Sequence, residues 1–394
     1  MSDKTLKKQT ITCTHCILDS NDDPNITFDE NGVCSYSNYY LSKRKNVANK
    51  TDKSKQFEQL IENIKKSGER KPYDCIIGVS GGVDSTYVAY LVKQKGLRPL
   101  AVHLDYGWNS ELAVANIRSI LEKMNIDLYT HVVNWEEIRD LQLSFLKASV
   151  VDIELVNDFA IFALLHNQAY SRGIKYVLHG MNVETEGEKL PEGWTHEKFD
   201  QLNILSINKQ FGKTKLKTYP RLSFYKRLYL NVVYKLKWVG ILNYIDYNKE
   251  DVKKFIIKEL GWRDYGGKHF ESIFTRFYQA YLLPQKFGID KRKFHYSVLI
   301  FSGQMTREQA LKEMEKPTYD PEMLKEDYAF VIKKLGLSEE EFKKIMNLPI
   351  KAHTEYNSYV TRHYKYHKRF FDNIKIIRGA LKLFKSNSNP NKSS

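Results

Sequence analysis

Cysteine is scarce in this chain, which has four among its 394 residues. So low a count excludes the class of small secreted domains that disulfide bonds hold together. The chain has no apolar run of the roughly 18 residues that a membrane-spanning helix needs. Its first ten residues are polar and lack the apolar centre of a signal peptide. The sequence therefore predicts a cytoplasmic globular protein of roughly two or three domains.

Acidic residues are outnumbered, with 47 Asp and Glu against 62 Lys and Arg, which gives a net charge of +15. The excess is local, because residues 201–245 hold nine basic residues and no acid and residues 351–394 carry a net charge of +8. The rest of the chain is close to neutral, so we do not expect a nucleic acid partner. An anionic substrate, an acidic protein or a lipid surface would each account for the two basic segments.

Short apolar runs of strand type alternate with helical patterns in the first half of the chain. The predicted strands cover residues 74–79, 100–104, 128–133 and 175–178. Alternation of this kind predicts an α/β fold with a parallel sheet. Ligands of such sheets bind beyond the carboxyl ends of the strands, which makes the residues that follow each strand the first candidates for a site.

The composition divides the chain into four parts. Residues 1–56 hold a cysteine knuckle and a polar, basic linker, and residues 57–200 form the α/β domain. Residues 201–385 are first basic and then mostly helical, with helices predicted over 251–260, 272–283, 306–315, 321–335 and 338–346. Residues 386–394 lack apolar side chains and are predicted to form a disordered tail.

The strongest local signal is the sequence SGGVDS, which follows the first predicted strand and opens a helix. Gly81 and Gly82 would let the backbone approach a polyphosphate, and a helix N-terminus offers unpaired N–H groups to it. Ser80 and Ser85 add hydroxyl donors, and Asp84 adds a carboxylate. The segment lacks the lysine of a Walker loop and does not fit GxGxxG. A tight turn that only requires glycine is the alternative interpretation.

Polar residues also follow the second and fourth predicted strands. Asp105 ends the second strand, and Gly180 and Asn182 follow the fourth. We expect these three residues to contact a nucleotide, although Asp105 would serve equally as a loop or helix-capping acid. Glu184 and Glu186 come next and could serve Mg²⁺, the alternative being two solvated carboxylates.

A second cluster lies in the C-terminal half, where YGGKHFES occupies residues 265–272 and SGQMTRE residues 302–308. Paired glycines before a Lys–His pair would present a cation at a close-packed site. A simple turn before a helix is the alternative for the glycine-rich part.

These motifs carry a resemblance to known enzymes. SGGVDS resembles the pyrophosphatase loop of the PP-loop superfamily, which implies an adenine-nucleotide α-hydrolase-like sheet, ATP as substrate, Mg²⁺ held with help from Asp84, and cleavage between the α and β phosphates. Together with YGGKHFES and SGQMTRE, it closely resembles the N-acetyl sugar amidotransferases. That family converts an acetamido to an acetamidino group on bacterial surface sugars, including lipopolysaccharide O-antigen and flagellar nonulosonic sugars. The resemblance extends from Cys13 to about Lys316.

The resemblance implies roles for particular residues. Lys268 would stabilise charge on the leaving phosphate, with Asp84 and His269 beside it as catalytic residues. The substrate would be an acetamido sugar or sugar nucleotide bound by Glu184, Glu271 and Arg276. Ammonia would come from a separate glutaminase subunit, in some systems with a cyclase-like subunit, because the sequence shows no glutaminase signature of its own.

The cysteine knuckle has three cysteines of the four ligands that structural zinc sites use. Cys13 and Cys16 form a C-x-x-C pair, Cys34 follows, and Ser37 stands where a second pair would have its last cysteine. His15 is next to Cys16, which makes joint ligation strained. The sequence leaves open a zinc site with an unknown fourth ligand and a metal-free remnant.

Two other functions remain open. A PP-loop enzyme that modifies tRNA by thiolation or lysidine formation would share the phosphate loop and use the basic segment. Alternatively, the stretch over residues 222–245, in which Tyr, Trp, Leu and Lys alternate, would dock on a partner or on the inner membrane surface. The same stretch would otherwise pack against the domain as an amphipathic element.

Overall fold

The computed structural model describes residues 10–46, 50–187, 189–267 and 270–361. Its centre is a five-stranded sheet with the strand order β3-β2-β1-β4-β5, in which every neighbouring pair is parallel. The strands are β1 (Cys75–Gly78), β2 (Pro99–Asp105), β3 (Asp127–Val132), β4 (Tyr176–His179) and β5 (Lys237–Gly240). The predicted α/β fold with a parallel sheet is confirmed.

Helices flank the sheet and form most of the C-terminal half. The α-helices are α1 (Ser35–Asn46), α2 (Lys50–Gly68), α3 (Val83–Gln94), α4 (Glu111–Met124), α5 (Trp135–Ala148), α6 (Leu155–Ser171), α7 (Val183–Glu186), α8 (Gln201–Phe211), α9 (Phe224–Val232), α10 (Lys249–Phe255), α11 (Ile273–Phe277), α12 (Lys291–Phe301), α13 (Arg307–Met314), α14 (Pro321–Leu335) and α15 (Glu339–Met346). π-Helical turns over Ile256–Leu260 and Tyr278–Phe287 extend α10 and α11, and short 3₁₀ turns cover Ile241–Tyr244 and His353–Glu355. None of the described helices is long and apolar enough to cross a membrane.

The sheet is buried on both faces because alternate side chains point in opposite directions. Ile76 and Val102 belong to one core, shared with α5, α6 and the C-terminal helices α14 and α15. Cys75 and Ile77 belong to the other, shared with α2, α3, α4 and α10. The C-terminal helical region is therefore part of the same packed body as the sheet.

The fifth strand lies inside the basic stretch over residues 222–245. That stretch folds into α9, β5 and a 3₁₀ turn, and β5 pairs with β4 along Lys237–Gly240. Four residues with the sequence KWVG give too short an alternation to predict a strand. As a result, the sheet extends beyond residue 200, where the α/β domain was predicted to end.

The linker predicted in the later part of residues 1–56 is instead helical where the structure describes it, since α1 ends at Asn46 and α2 begins at Lys50. The knuckle before it is tied to the C-terminal half of the chain. Its cysteines share a core with Phe294, Val298 and Phe301 of α12. The predicted tail over 386–394 lies outside the described residues.

Candidate active site

The glycine-rich loop over residues 80–85 joins β1 to α3 at the carboxyl edge of the sheet. Gly81 has a φ of +82°, and a Cβ there would lie 2.6 Å from the carbonyl oxygen of Ala113. Only glycine meets both conditions without strain. The indole nitrogen of Trp262 donates to the carbonyl oxygen of Gly81 at 2.8 Å. The backbone of Ala113 and the indole of Trp262 therefore both lie close to Gly81.

The two serines of the loop contact each other across its ends. The Oγ atoms of Ser80 and Ser85 lie 3.3 Å apart, and Ser80 Oγ accepts from the backbone N–H of Gly82 at 3.3 Å. Helix α3 begins directly behind them, at Val83, with no side-chain cap on its first turn. This leaves the uncapped N-terminal end of the helix facing the loop, an arrangement suited to binding an anion.

The YGGKHFES stretch reaches the phosphate loop. A Cβ at Gly82 would lie 3.2 Å from the hydroxyl of Tyr265 and 3.8 Å from Oε1 of Glu271. Burial and the neighbouring Glu271 carboxylate together raise the pKa of Tyr265, so this phenol remains protonated and able to donate. The predicted residues Lys268 and His269 lie outside the described residues.

Backbone hydrogen bonds hold the end of this stretch against the loop that follows β2. The N–H of Ser110 donates to the carbonyl oxygen of Glu271, and the N–H of Ile273 donates to that of Trp108, each at 2.9 Å. Ser110 caps α4 through its side chain, which accepts from Ala113 N. The site is therefore built from elements about 160 residues apart in sequence, joined like two short strands.

Asp84 is the centre of a charged cluster beside the loop. Its carboxylate accepts from the hydroxyl of Tyr247, and Lys249 Nζ lies 3.3 Å from its Oδ2. Burial opposes protonation of Lys249, but the nearby carboxylates of Asp84, Glu186 and Glu271 outweigh it and raise its pKa. Lys249 therefore contacts Asp84 and lies within the electrostatic influence of two further carboxylates, whose oxygens are of the type that Mg²⁺ prefers.

Two family models match the chain. The first, described as the LPS biosynthesis protein WbpG-like C-terminal domain, covers residues 271–371. The second, described as the queuosine biosynthesis protein QueC, covers residues 74–184, which include β1, the phosphate loop and β4. The chain belongs to the PP-loop ATP pyrophosphatase superfamily. Its C-terminal region is of the WbpG-like type, as the resemblance in YGGKHFES predicted.

Individual relatives are distant. An uncharacterized protein of Methanocaldococcus jannaschii is 24% identical over 322 residues, which span 80% of this chain and 96% of that protein. The tRNA(Ile)-lysidine synthase of Thermus thermophilus is 28% identical over 115 residues, 29% of this chain and 21% of the synthase. Among solved structures, the NH₃-dependent NAD synthetase of Campylobacter jejuni has a TM-score of 0.29 and 16% identity over 53% of this chain and 83% of that chain. The NMN synthetase of Francisella tularensis has a TM-score of 0.29 and 15% identity, over 57% of this chain and 90% of that chain.

The PP-loop site includes polar residues at the end of β2. Asp105 Oδ1 accepts from Gly107 N at 2.9 Å and from the side-chain amide of Asn109 at 3.4 Å. The same amide donates to His103 Nε2 at 3.2 Å. Since burial lowers the pKa of His103, the ring is neutral and its Nδ1 donates to the carbonyl oxygen of Val79. Asp105 thus shapes the loop, and its contact with the nucleotide stays a prediction.

The residues that follow β4 pack against Asp84 of the phosphate loop. A Cβ at Gly180 would lie 2.8 Å from Cβ of Asp84, so glycine is required here by Asp84 itself. Asn182 is buried and caps α7, since its Oδ1 accepts from Thr185 N at 2.9 Å. Glu184 lies half-buried in the same short helix. The nucleotide contacts predicted for Gly180 and Asn182 are not tested by these packing roles.

Arg276 has a partner within the fold. Its guanidinium forms two hydrogen bonds with Asp327 of α14, at 2.6 and 2.8 Å, and lies 5.1 Å from the ring centre of Phe270. Both charged side chains are largely buried. This fork joins α11 to α14, so substrate binding by Arg276 would require the ion pair to open.

Sequence reasoning missed a second buried cluster near the PP-loop site. Thr275 Oγ1 donates to Glu154 Oε2 at 2.8 Å and lies 3.1 Å from Oγ of Ser272, which follows Glu271. Burial and the neighbouring Asp158 raise the pKa of Glu154 to about 7. Lys198 bridges Asp158 at 2.8 Å and the buried Asp152 at 2.7 Å. In the sequence, this cluster shows only as acidic residues that precede an apolar helix. A helix whose N-terminus is stabilised by acidic residues produces the same pattern.

Sequence reasoning also missed Lys249 and Trp262, whose partners are more than 160 residues away along the chain. The predicted cysteine cluster does form: Cys13, Cys16 and Cys34 are all buried, with their sulfur atoms within 4.8 Å of one another. Three convergent thiol groups fit zinc in their chemistry.

Proposed function

We propose that this PP-loop protein is an ATP-dependent amidotransferase that converts the acetamido group of a bacterial surface sugar to an acetamidino group. One observation carries the proposal. The WbpG-like match begins at Glu271, and Glu271 lies against Gly82 of the phosphate loop while its backbone pairs with Ser110. The first residue of the WbpG-like match therefore lies beside the glycine-rich loop that, in this proposal, binds the phosphates of ATP.

The proposed reaction has two steps. In the first, the amide oxygen of the acetamido group attacks the α-phosphorus of ATP, the α–β bond breaks, and pyrophosphate leaves. The product is an O-adenylyl imidate. In the second, ammonia adds to the imidate carbon, the C–O bond breaks, AMP leaves, and one proton is released. An NH group has then replaced the carbonyl oxygen. Neither step requires a protein nucleophile, so the protein acts by positioning and charge stabilisation.

Different residues of the chain would bind the pyrophosphate, neutralise its charge and contact the sugar. The backbone of the glycine-rich loop and the N-terminus of α3 would bind the departing pyrophosphate. Lys249, held by Asp84, and the predicted Lys268 would neutralise charge that develops on it. Mg²⁺, if held by Asp84 and Glu186, would neutralise charge on the phosphates. Glu184 and Glu271 would contact the sugar, and His269, next to Lys268 in the sequence, would act with Lys268.

Ammonia would be supplied by a separate glutaminase subunit, and a cyclase-like subunit would conduct it to the site. Comparing turnover of the purified chain with glutamine and with ammonium salts tests this part alone. We expect product with ammonium only. Robust product from glutamine without a second protein would refute the required partner.

The reaction is tested by incubating the chain with ATP, Mg²⁺, ammonium and a panel of acetamido sugars. The panel includes nonulosonic acids of the pseudaminic and legionaminic types and nucleotide-linked diacetamido sugars. We expect AMP together with a sugar in which NH replaces O, identified by its exact mass. AMP release that depends on none of these sugars would contradict the proposal.

A tRNA-modifying activity is the second candidate, favoured by the similarity of 115 residues to a lysidine synthase. That similarity covers 29% of the chain, whereas the WbpG-like match lies in the C-terminal region. A gel shift with total tRNA at two salt concentrations distinguishes the two functions, because tRNA binding through phosphate contacts weakens steeply with salt.

A further inference from the structure

The cysteine knuckle, residues 10–37, encloses a group of polar atoms that the proposed reaction does not use. Cys13, Cys16, Cys34 and Ser37 each have no exposed surface. The Sγ atoms of Cys16 and Cys34 are 3.6 Å apart. Ser37 Oγ lies 3.5 Å from Sγ of Cys13 and 3.4 Å from Sγ of Cys34. The hydroxyl of Ser37 is therefore a fourth member of the cluster.

These separations are those of a tetrahedral metal site. With Zn–S bonds of about 2.3 Å and a Zn–O bond of about 2.0 Å, a regular tetrahedron has S···S edges of about 3.8 Å and S···O edges of about 3.5 Å. Three of the six edges have separations given above, one S···S and two S···O, and these agree with the ideal edges to within about 0.2 Å. The three sulfur atoms all lie within 4.8 Å of one another, so the four side chains surround one small volume.

Backbone amides prepare the sulfur atoms to carry charge. The N–H groups of Cys16 and Cys34 point at Sγ of Cys13, at 3.4 and 3.2 Å, and the N–H of Ser37 points at Sγ of Cys34 at 3.5 Å. Hydrogen bonds to the charged form favour the thiolate, which is the form that binds metal.

We propose that Ser37 Oγ is the fourth ligand of a zinc ion bound by Cys13, Cys16 and Cys34. His15, the other candidate, directs its ring against Phe301, with 6.0 Å between ring centres. Its nitrogens do not belong to the group of donor atoms that converges here. Three thiolates and a neutral hydroxyl give Zn²⁺ a net charge of −1, and all four positions are filled by the protein. The site is thus structural and closed to substrate.

Hydrogen bonds connect the knuckle to helices α12 and α13 in the C-terminal half of the chain. Arg307 of α13 donates to the carbonyl oxygens of Cys16 and Cys13, at 3.0 and 3.3 Å. The N–H of Ile17 donates to Ser297 Oγ of α12 at 3.4 Å. A metal that orders the knuckle would therefore also stabilise the packing of α12 and α13.

The test measures metal on the full chain purified without chelators. Elemental mass spectrometry is expected to find one zinc per chain, and Co²⁺ substitution is expected to give the visible bands of a tetrahedral thiolate site. Ser37→Ala should weaken zinc binding by at least the roughly 10- to 100-fold that loss of an outer-shell partner costs. Ser37→Cys should retain zinc and strengthen the thiolate-to-cobalt absorption. Zinc affinity is measured by competition with a chromophoric chelator.

Two control variants keep the outcomes separable. Ser42→Ala removes an exposed serine from the same helix, and Cys75→Ala removes the buried thiol of β1. Both should keep wild-type zinc affinity. An unchanged zinc affinity in Ser37→Ala would overturn the fourth ligand while leaving a three-cysteine site. A purified chain with no zinc, in which Co²⁺ gives no thiolate absorption, would overturn the site as a whole.

Discussion

Lys249 Nζ lies 3.3 Å from Oδ2 of Asp84, the acidic residue of the phosphate loop. The two side chains are about one-fifth exposed, at 19% and 20%, so solvent only partly screens the contact. Tyr247 donates to the other oxygen of the same carboxylate. A cation from the first turn of α10 is thereby held at the opening of α3.

Replacing Lys249 tests whether its positive charge promotes the cleavage of ATP to AMP. We expect Lys249→Ala to lower the rate of AMP formation by on the order of 100-fold, as the loss of one preorganised charge-stabilising group does. Lys253→Ala is the matched control, because Lys253 lies one turn later in α10 and pairs with the partly exposed Asp264 at 2.6 Å. Equal rates in the two variants would remove Lys249 from the site.

Lys268 gives a second test, and it rests on the sequence. Lys268→Ala should reduce AMP formation by a similar factor, with a smaller effect on ATP binding, since charge on the leaving group develops in the transition state. Lys258→Ala, at an 84% exposed side chain, serves as the control. If AMP formation survives in Lys268→Ala, the assignment of Lys268 fails.

Variants of the ion pair between Arg276 and Asp327 distinguish a structural role of Arg276 from a role in substrate binding. Breaking a buried ion pair by removing one partner costs about 3 kcal/mol or more, so Asp327→Asn should lower the free energy of unfolding by about that amount. Arg276→Lys should do the same, because lysine cannot form the two-pronged contact. Urea unfolding measures both. A variant that raises KM for the sugar at unchanged stability would instead support substrate binding by Arg276.

Glu154 predicts a pH dependence of stability. Its pKa is raised from 4.5 in the unfolded chain to about 7 in the fold, first by burial and then by Asp158. Between these two pKa values, the folded state therefore holds a proton that the unfolded state has lost. The resulting contribution to the free energy of unfolding is complete below about pH 4.5. It is lost as the pH rises to about 7, by roughly 1.4 kcal/mol per pH unit at most.

The Glu154→Gln variant isolates this effect from other titrating groups. Glutamine has the same shape and stays neutral, so the difference in unfolding free energy between variant and wild type should grow in favour of the variant from pH 5 to pH 7.5. Urea titrations at several pH values give the curve. A difference that does not change with pH would show that Glu154 has an ordinary pKa.

The basic stretch around α9 leaves apolar side chains exposed, with exposed fractions of 71% for Tyr225, 43% for Tyr229 and 63% for Val233. Because residues 201–245 contain no acid, we propose that this surface contacts anionic lipid. Flotation with vesicles should recover the chain with anionic lipid and not with neutral lipid. Val233→Ser should reduce recovery, whereas Val132→Ser, at an equal 63% exposure on β3, should not. Equal recovery from both kinds of vesicle would contradict the proposal.

Local patterns in the sequence predicted most of the fold. Four of the five strands of the sheet and the glycine-rich turn follow from short-range signals, and α14 occupies the predicted range of Pro321–Leu335. The strand β5 could not be predicted, because a run of four residues is too short to show a strand alternation and its pairing with β4 is a tertiary contact.

The candidate site was only partly predictable, for a different physical reason. The loop over residues 80–85 has its chemistry in consecutive residues, so the sequence exposes it directly. The fork between Arg276 and Asp327, the hydrogen bond from Trp262 to Gly81 and the contact of Lys249 with Asp84 each join distant parts of the chain. Charge and hydrogen-bonding capacity are visible in a sequence, but the identity of a distant partner is decided by tertiary packing.

The docking of the knuckle on α12 has a consequence for biosynthesis. Cys13 and Cys16 share a hydrophobic cluster with Phe294, Val298 and Phe301, which leave the ribosome roughly 280 residues later. Until then, the three thiols of the nascent chain cannot be covered by the surface that buries them in the finished protein. The knuckle is thus translated well before the surface that completes its packing, and metal capture by the emerging knuckle would protect those thiols from oxidation during that interval.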